Sequence, residues 1–133
     1  MDLSRIKVCI FDVNGVLIDS NPANARAMAR AFTDDPILQQ KIVPLYLELT
    51  GIDRGTKIRI LQEKIIGIPF KEAEFELRWQ NFIHFGRLAM LEARPVVGCR
   101  EVLAEIGNRK LTRVALSNTP LTELVEVLAA HHL

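Results

Sequence analysis

Hydrophobic and polar positions follow two rhythms along this chain. Residues 7–12, "KVCIFD", form an almost unbroken apolar run ending on an acid, the pattern of a short strand buried on both faces of a parallel sheet. Residues 21–32, "NPANARAMARAF", change to a helical pattern, with Ser20 or Asn21 placed to cap it and Pro22 at its first position. Thr33 to Pro36 break that pattern, and "ILQQKIVPLYLEL" resumes it. Pro44 is expected to kink or interrupt this second helix, because proline lacks a backbone N–H. A third helical unit, "TGIDRGTKIRILQEKIIG", has Thr50-Gly51 as a turn, Asp53 as a cap and Gly67 as its stop. Pro69 separates it from the longest helical pattern, "KEAEFELRWQNFIHFGRLAMLEA", which continues despite Gly86. Beyond Pro95 come a helix ending near Gly107-Asn108, the apolar strand "LTRVALS", and a last helix opened by Thr119-Pro120.

Two apolar strands with a helix before the second predict an α/β fold built on a Rossmann-like parallel sheet. The helical block between the strands is too long for a plain crossover and reads as an inserted all-helical subdomain. The expected division is 1–19 with 91–133 for the α/β core and 20–90 for the helical insertion. Two strands make a small sheet for an open α/β domain. The chain is therefore expected to hold only the N-terminal part of that core, or to self-associate through exposed sheet edges.

Composition narrows the partners. The chain has 133 residues, with 17 Lys and Arg against 16 Asp and Glu, and a net charge of +1 gives no electrostatic case for nucleic acid or an anionic membrane. No apolar run approaches the roughly 18 residues that span a bilayer. "MDLSRIKVCIFD" carries an early acid and lacks a signal-peptide core. Cys9 and Cys99 lie far apart and form no C-x-x-C pair, which reads as buried, reduced thiols in a cytoplasmic protein.

The candidate chemistry sits at the strand ends, since parallel α/β sheets bind ligands beyond the carboxyl ends of their strands. Asp12 ends the first strand and Ser117 the second. If the strands are neighbours, a carboxylate and a hydroxyl converge with loop amides. Asn14-Gly15 supplies a tight turn whose backbone N–H groups could cradle an anion, and the helix opened after Asn118 points its positive end at the same place. On spacing alone, a loop acid, a turn and a helix cap explain these residues equally well.

Together the segments resemble the haloacid dehalogenase-like hydrolases, mostly magnesium-dependent phosphatases and phosphomutases. "FDVNGVLIDS" is similar to their first motif, an apolar strand ending in D-x-D-G-[TV]-L-x-D-S, and "VALSNTP" to their second, an apolar strand ending in Ser or Thr. "RPVVGCREVLAEI" resembles the segment leading into that second strand, and the helical block lies where the family's helical cap is inserted. The resemblance implies Asp12 as a nucleophile that becomes an aspartyl phosphate. It implies Mg²⁺ held by Asp12 and the main-chain carbonyl of Asn14, and Ser117, with Asn118 beside it, on the phosphoryl oxygens. "TGIDRGTKIRIL" is similar to the cap segment of β-phosphoglucomutase-like members, which places Arg54 on a substrate's non-reacting phosphate, with Lys57 one turn along. A solvated helix face explains Arg54 and Lys57 equally well. The implied substrate is a small phosphorylated metabolite. A Schiff-base lysine, as in phosphonoacetaldehyde hydrolases, is disfavoured because Arg54 takes its place. His84 among Trp79, Phe82 and Phe85 reads as a packed residue, and His131-His132 as a helix terminus.

Two departures bear on activity. Asn14 stands where the phosphatases have an aspartate acting as general acid and base, and an amide cannot exchange that proton at neutral pH. The family's third-motif lysine and fourth-motif acidic pair normally follow the second strand by tens of residues, and the sequence ends at Leu133. This chain alone is thus expected to be nearly inactive. A non-catalytic relative that binds a phosphorylated ligand or a protein remains open. So does a metal-independent dehalogenase, although the aromatic usual at position 14 in those enzymes is absent.

Overall fold

Both apolar runs form strands, and they pair. The computed structural model describes residues 5–67 and 69–133. The elements run β1 (Val8–Asp12), α1 (Asn21–Phe32), α2 (Pro36–Glu48), α3 (Arg54–Leu61), a π-helical turn (Gln62–Ile66), α4 (Glu72–Glu92), α5 (Cys99–Asn108), β2 (Thr112–Leu116) and α6 (Leu121–Ala130). They fall into two compact units: Met1–Asp19 with Ala93–Leu133, and Ser20–Glu92. The second junction lies two residues beyond the sequence boundary at 90/91, because α4 continues to Glu92.

In the α/β unit, β1 and β2 are parallel, with Val8 opposite Thr112 and Asp12 opposite Leu116. The expectation of strands buried on both faces is not met within this chain. Ile10 is 65% exposed and Leu116 66%. Burial concentrates instead on the loop after β1 and on the inner faces of α5 and α6, where Val13, Leu17, Ile18, Leu103, Leu124 and Val127 are all buried. Backbone bonds hold that loop tightly. The Val13 carbonyl accepts from Leu17 N and Ile18 N, both at 3.0 Å, and Gly15 N donates to the Ile18 carbonyl at 2.7 Å. Asp19 N to the Arg94 carbonyl (2.8 Å) and Val96 N to the Leu17 carbonyl (2.9 Å) fasten it to the segment leading into α5. Arg100 Nη2 donates to the His131 carbonyl at 2.8 Å, tying the start of α5 to the end of α6.

The helical unit is organised around α1. Ala25, Ala27, Ala29 and Ala31 are buried with Met28, and small side chains let neighbouring helices approach closely. Ile42 and Tyr46 of α2, Ile58 and Leu61 of α3, and Phe82 and Ala89 of α4 complete the core. Asp53 caps α3, its Oδ1 accepting from Thr56 N at 3.0 Å. Pro44 does not interrupt α2, which runs unbroken from Pro36 to Glu48. The carbonyl that loses its donor belongs to Gln40, an exposed residue where solvent can satisfy it. The third helix widens into the π turn before Gly67 closes it in the left-handed region at φ 63°. Gly86 lies inside α4, where a Cβ would come within 3.4 Å of the Phe82 ring, an ordinary van der Waals contact. Among the described residues no helix is long and apolar enough to cross a membrane.

Candidate active site

The parallel register decides where the chemistry can gather. Because Asp12 pairs with Leu116, the carboxylate and the Ser117 hydroxyl leave the sheet at the same end, on adjacent strands. Asp12 is exposed, and its Oδ1 accepts from Val13 N at 2.7 Å. The Asn14 amide turns toward β2: Nδ2 donates to Ser117 Oγ and to Thr119 Oγ1, both at 3.3 Å. Ser117 Oγ donates in turn to Thr119 Oγ1 at 3.1 Å and accepts from Thr119 N at 3.1 Å. One side-chain network therefore links the loop after β1 to the loop after β2.

Gly15 has φ +82°, a conformation that side chains disfavour, and this makes the turn that brings Asn14 round. Its N–H is committed to the Ile18 carbonyl, so Gly15 contributes conformation where the sequence suggested a donor for an anion. Asn118 is exposed between Ser117 and Thr119. Thr119 is buried, and it is the member that sequence reasoning missed. Read only as the residue before Pro120, it looked like a helix opener, yet α6 begins at Leu121 with Pro120 as its cap. The available signal was spacing, since residues two apart on an extended segment share a side.

The helical unit places the two sequence-predicted cations on the first turn of α3. Arg54 and Lys57 are three residues apart and so share a helix face. That face is not simply solvated. Lys57 is only 8% exposed, with Nζ 4.2 Å from the centroid of the Tyr46 ring, and the Arg54 guanidinium lies 5.3 Å from that of Phe82. Tyr46 and Phe82 pack against each other, their centroids 6.3 Å apart. Burial holds the Lys57 amine below the ordinary lysine range, and the neighbouring Arg54 charge adds to this while Asp53 opposes it. Burial pushes the Tyr46 phenol up to about 12, with Arg54 pulling the other way. Tyr46 is the chain's one tyrosine, so absorbance titration reads it alone. The native protein should show a midpoint near 12 that returns to about 10 in denaturant. The phenol's folded value is raised, so its contribution to stability is complete below pH 10 and is lost as pH climbs toward 12.

Other candidates fall away. His84 is exposed, its ring edge-on to Phe85 at 5.3 Å, and is not the packed residue the sequence suggested. Cys9 and Cys99 are both free thiols; Cys99 is buried as expected, whereas Cys9 is only half-buried. Among the described residues no group of three or more His, Cys, Asp or Glu could hold a metal ion.

Comparison with known proteins bears on the fold. No family model matches the chain, and no curated protein matches it in sequence. Solved structures do. A predicted phosphoglycolate phosphatase from Haemophilus somnus superposes with a TM-score of 0.72 at 15% identity, covering 97% of this chain and 59% of that one. A hydrolase from Pseudomonas syringae gives 0.69 at 16% identity, covering 97% and 56%. What the chain shares with these structures is the fold, two parallel strands with a block of helices between them in sequence. The chain spans somewhat over half the length of these relatives. At such low identity the backbone arrangement is shared, while the site residues must be argued from this chain's own geometry.

Proposed function

We propose that the protein is a haloacid dehalogenase-like phosphohydrolase or phosphomutase, acting on a small phosphorylated metabolite through Asp12 with Mg²⁺. The observation that carries this reading is the register: a parallel pair sets Asp12 and Ser117 side by side at the carboxyl end of the sheet. In the reaction, a carboxylate oxygen of Asp12 attacks phosphorus as the ester P–O bond breaks. Water then attacks the aspartyl phosphate and releases inorganic phosphate. Ser117 turns its O–H from Thr119 to a phosphoryl oxygen, and Thr119 N keeps its hydroxyl oxygen in place. Asn14 holds the Ser117–Thr119 pair but has no proton to give the departing alkoxide, so that proton comes from solvent.

The residues present suit Mg²⁺ in kind: a carboxylate and a main-chain carbonyl are hard oxygen donors, and this ion keeps several waters. Asp12 and the Asn14 carbonyl would hold it, and when bound it supplies positive charge against the phosphoryl oxygens. Groups beyond the described residues, or water, would complete its shell. We read Arg54 and Lys57 as the pair that takes a second anionic group of the substrate, with Arg54 offering the forked donor.

A second reading, a non-catalytic relative that binds a phosphorylated ligand, is favoured by the Asn14 network, which occupies the acid–base position with a structural amide. Calorimetry and a turnover assay on one panel of phosphate monoesters with Mg²⁺ separate the two. Release of phosphate that depends on Asp12 supports the enzyme. Saturable binding with no phosphate release supports the alternative.

A further inference from the structure

Away from both groups of residues above, the helical unit carries a pocket between the end of α1 and the middle of α4. Its volume is about 310 Å³, at the small end for ligand sites. Two arginines line it, each laid over an aromatic ring from the facing helix. The Arg30 guanidinium lies 4.3 Å from the Phe85 centroid, and that of Arg78 4.9 Å from Phe32. Leu77 and Asn81 add one apolar and one amide wall.

The lining sets these two arginines against two acids, Asp34 and Glu74, but the acids are not matched to them one for one. Arg78 Nη1 bonds Glu74 Oε2 at 3.2 Å, but Glu74 also meets Lys71 at 3.7 Å, so one carboxylate answers two cations. Arg30 makes no ion pair among the described residues, and Asp34, also lining the pocket, is exposed at the rim. The Arg78 side chain is only 13% exposed, and its Nε is buried with no acceptor among those residues. Buried donors are normally paired, and this one is not, on an arginine that lines the pocket.

We propose that this pocket is a binding site for a small carboxylate. A carboxylate fits the planar fork of a guanidinium, engaging Arg78 through the edge that Glu74 leaves open after a small turn of the side chain, and reaching Arg30 across the cavity. The Phe32, Phe85 and Leu77 walls receive its carbon skeleton, which a bare inorganic anion lacks. The site is independent of the Asp12 chemistry and stands whether or not that reading does.

Titration calorimetry with malonate tests it. The native chain should bind one equivalent saturably. Arg30→Gln and Arg78→Gln should each weaken binding at least about tenfold, the scale of one lost charge-assisted contact. Arg54→Gln and Ser117→Ala should leave it unchanged. Arg30 is exposed, so its substitution decides the matter even if Arg78→Gln fails to fold. The proposal is overturned if malonate does not bind saturably, if affinity survives Arg30→Gln, or if inorganic phosphate binds equally well through the same arginines.

Discussion

Asp12→Asn is expected to bring the weak phosphoryl transfer of this chain down to background. The substitution keeps the shape of the side chain and an oxygen for the Val13 amide, so β1, its register and the following loop should be unaffected. What it removes is the anionic oxygen that attacks phosphorus. Loss of a covalent nucleophile costs on the order of 10⁴ or more in kcat. The measurement is phosphate release from an activated monoester with Mg²⁺, paired with a thermal melt. Unchanged stability with abolished turnover is the expected pair of results. Retained turnover means that water is activated some other way and that Asp12 is a bystander.

The second large effect runs in the opposite direction. Asn14→Asp should raise turnover, because it supplies the proton that the departing alkoxide needs. The new carboxylate occupies the volume of the amide, and the Ser117 and Thr119 hydroxyls, which now accept from Nδ2, can rotate to donate to it. General acid–base catalysis typically contributes about 10²–10⁴, and the gain should fall in that range. It should also change the pH–rate profile, since the new carboxyl must be protonated to donate to the departing alkoxide and loses that proton as pH rises. A rate unchanged by Asn14→Asp would show that the amide is not what limits the chemistry. Adding Asp12→Asn to the faster variant should return it to background, which tests both assignments in one assay.

Which parts of this molecule were legible in its sequence follows from what sets each feature. The strands and most helix boundaries are fixed locally. Apolar runs make "KVCIFD" and "LTRVALS" strands, Asp53 announces α3 through its own cap, and Gly67 ends the third helical unit because it tolerates φ 63°. Features that depend on distant partners were not readable. Nothing in "QEKII" distinguishes a π turn from an α-turn, and the proline in α2 was tolerated because Gln40, whose carbonyl it orphans, is an exposed residue. Strand burial failed for the same reason, as the exposure of Ile10 and Leu116 depends on what lies across the sheet and not on the strand itself.

The candidate site divides in the same way. Asp12, Asn14 and Ser117 were visible because they sit at strand ends, where local pattern and chemistry coincide. Thr119 and the commitment of the Gly15 amide needed the loops in three dimensions. Lys57 was found as a charge and misjudged as to its surroundings, since only the packing of α2 against α3 shows that Tyr46 shelters it. The shared fold at 15–16% identity makes a related point from outside: a backbone can persist while few side chains do.

The most direct test of the central claim is to look for the covalent intermediate. The protein is mixed with an activated phosphate monoester and Mg²⁺, quenched in acid within the first turnover, digested, and its peptides weighed. Nucleophilic catalysis by Asp12 predicts a phosphoryl adduct on the peptide that contains Asp12 after digestion with an acid protease, absent from Asp12→Asn and lost in mild base, as an acyl phosphate should be. Phosphate release with no adduct on that peptide, or an adduct on the same peptide in Asp12→Asn, would contradict the account.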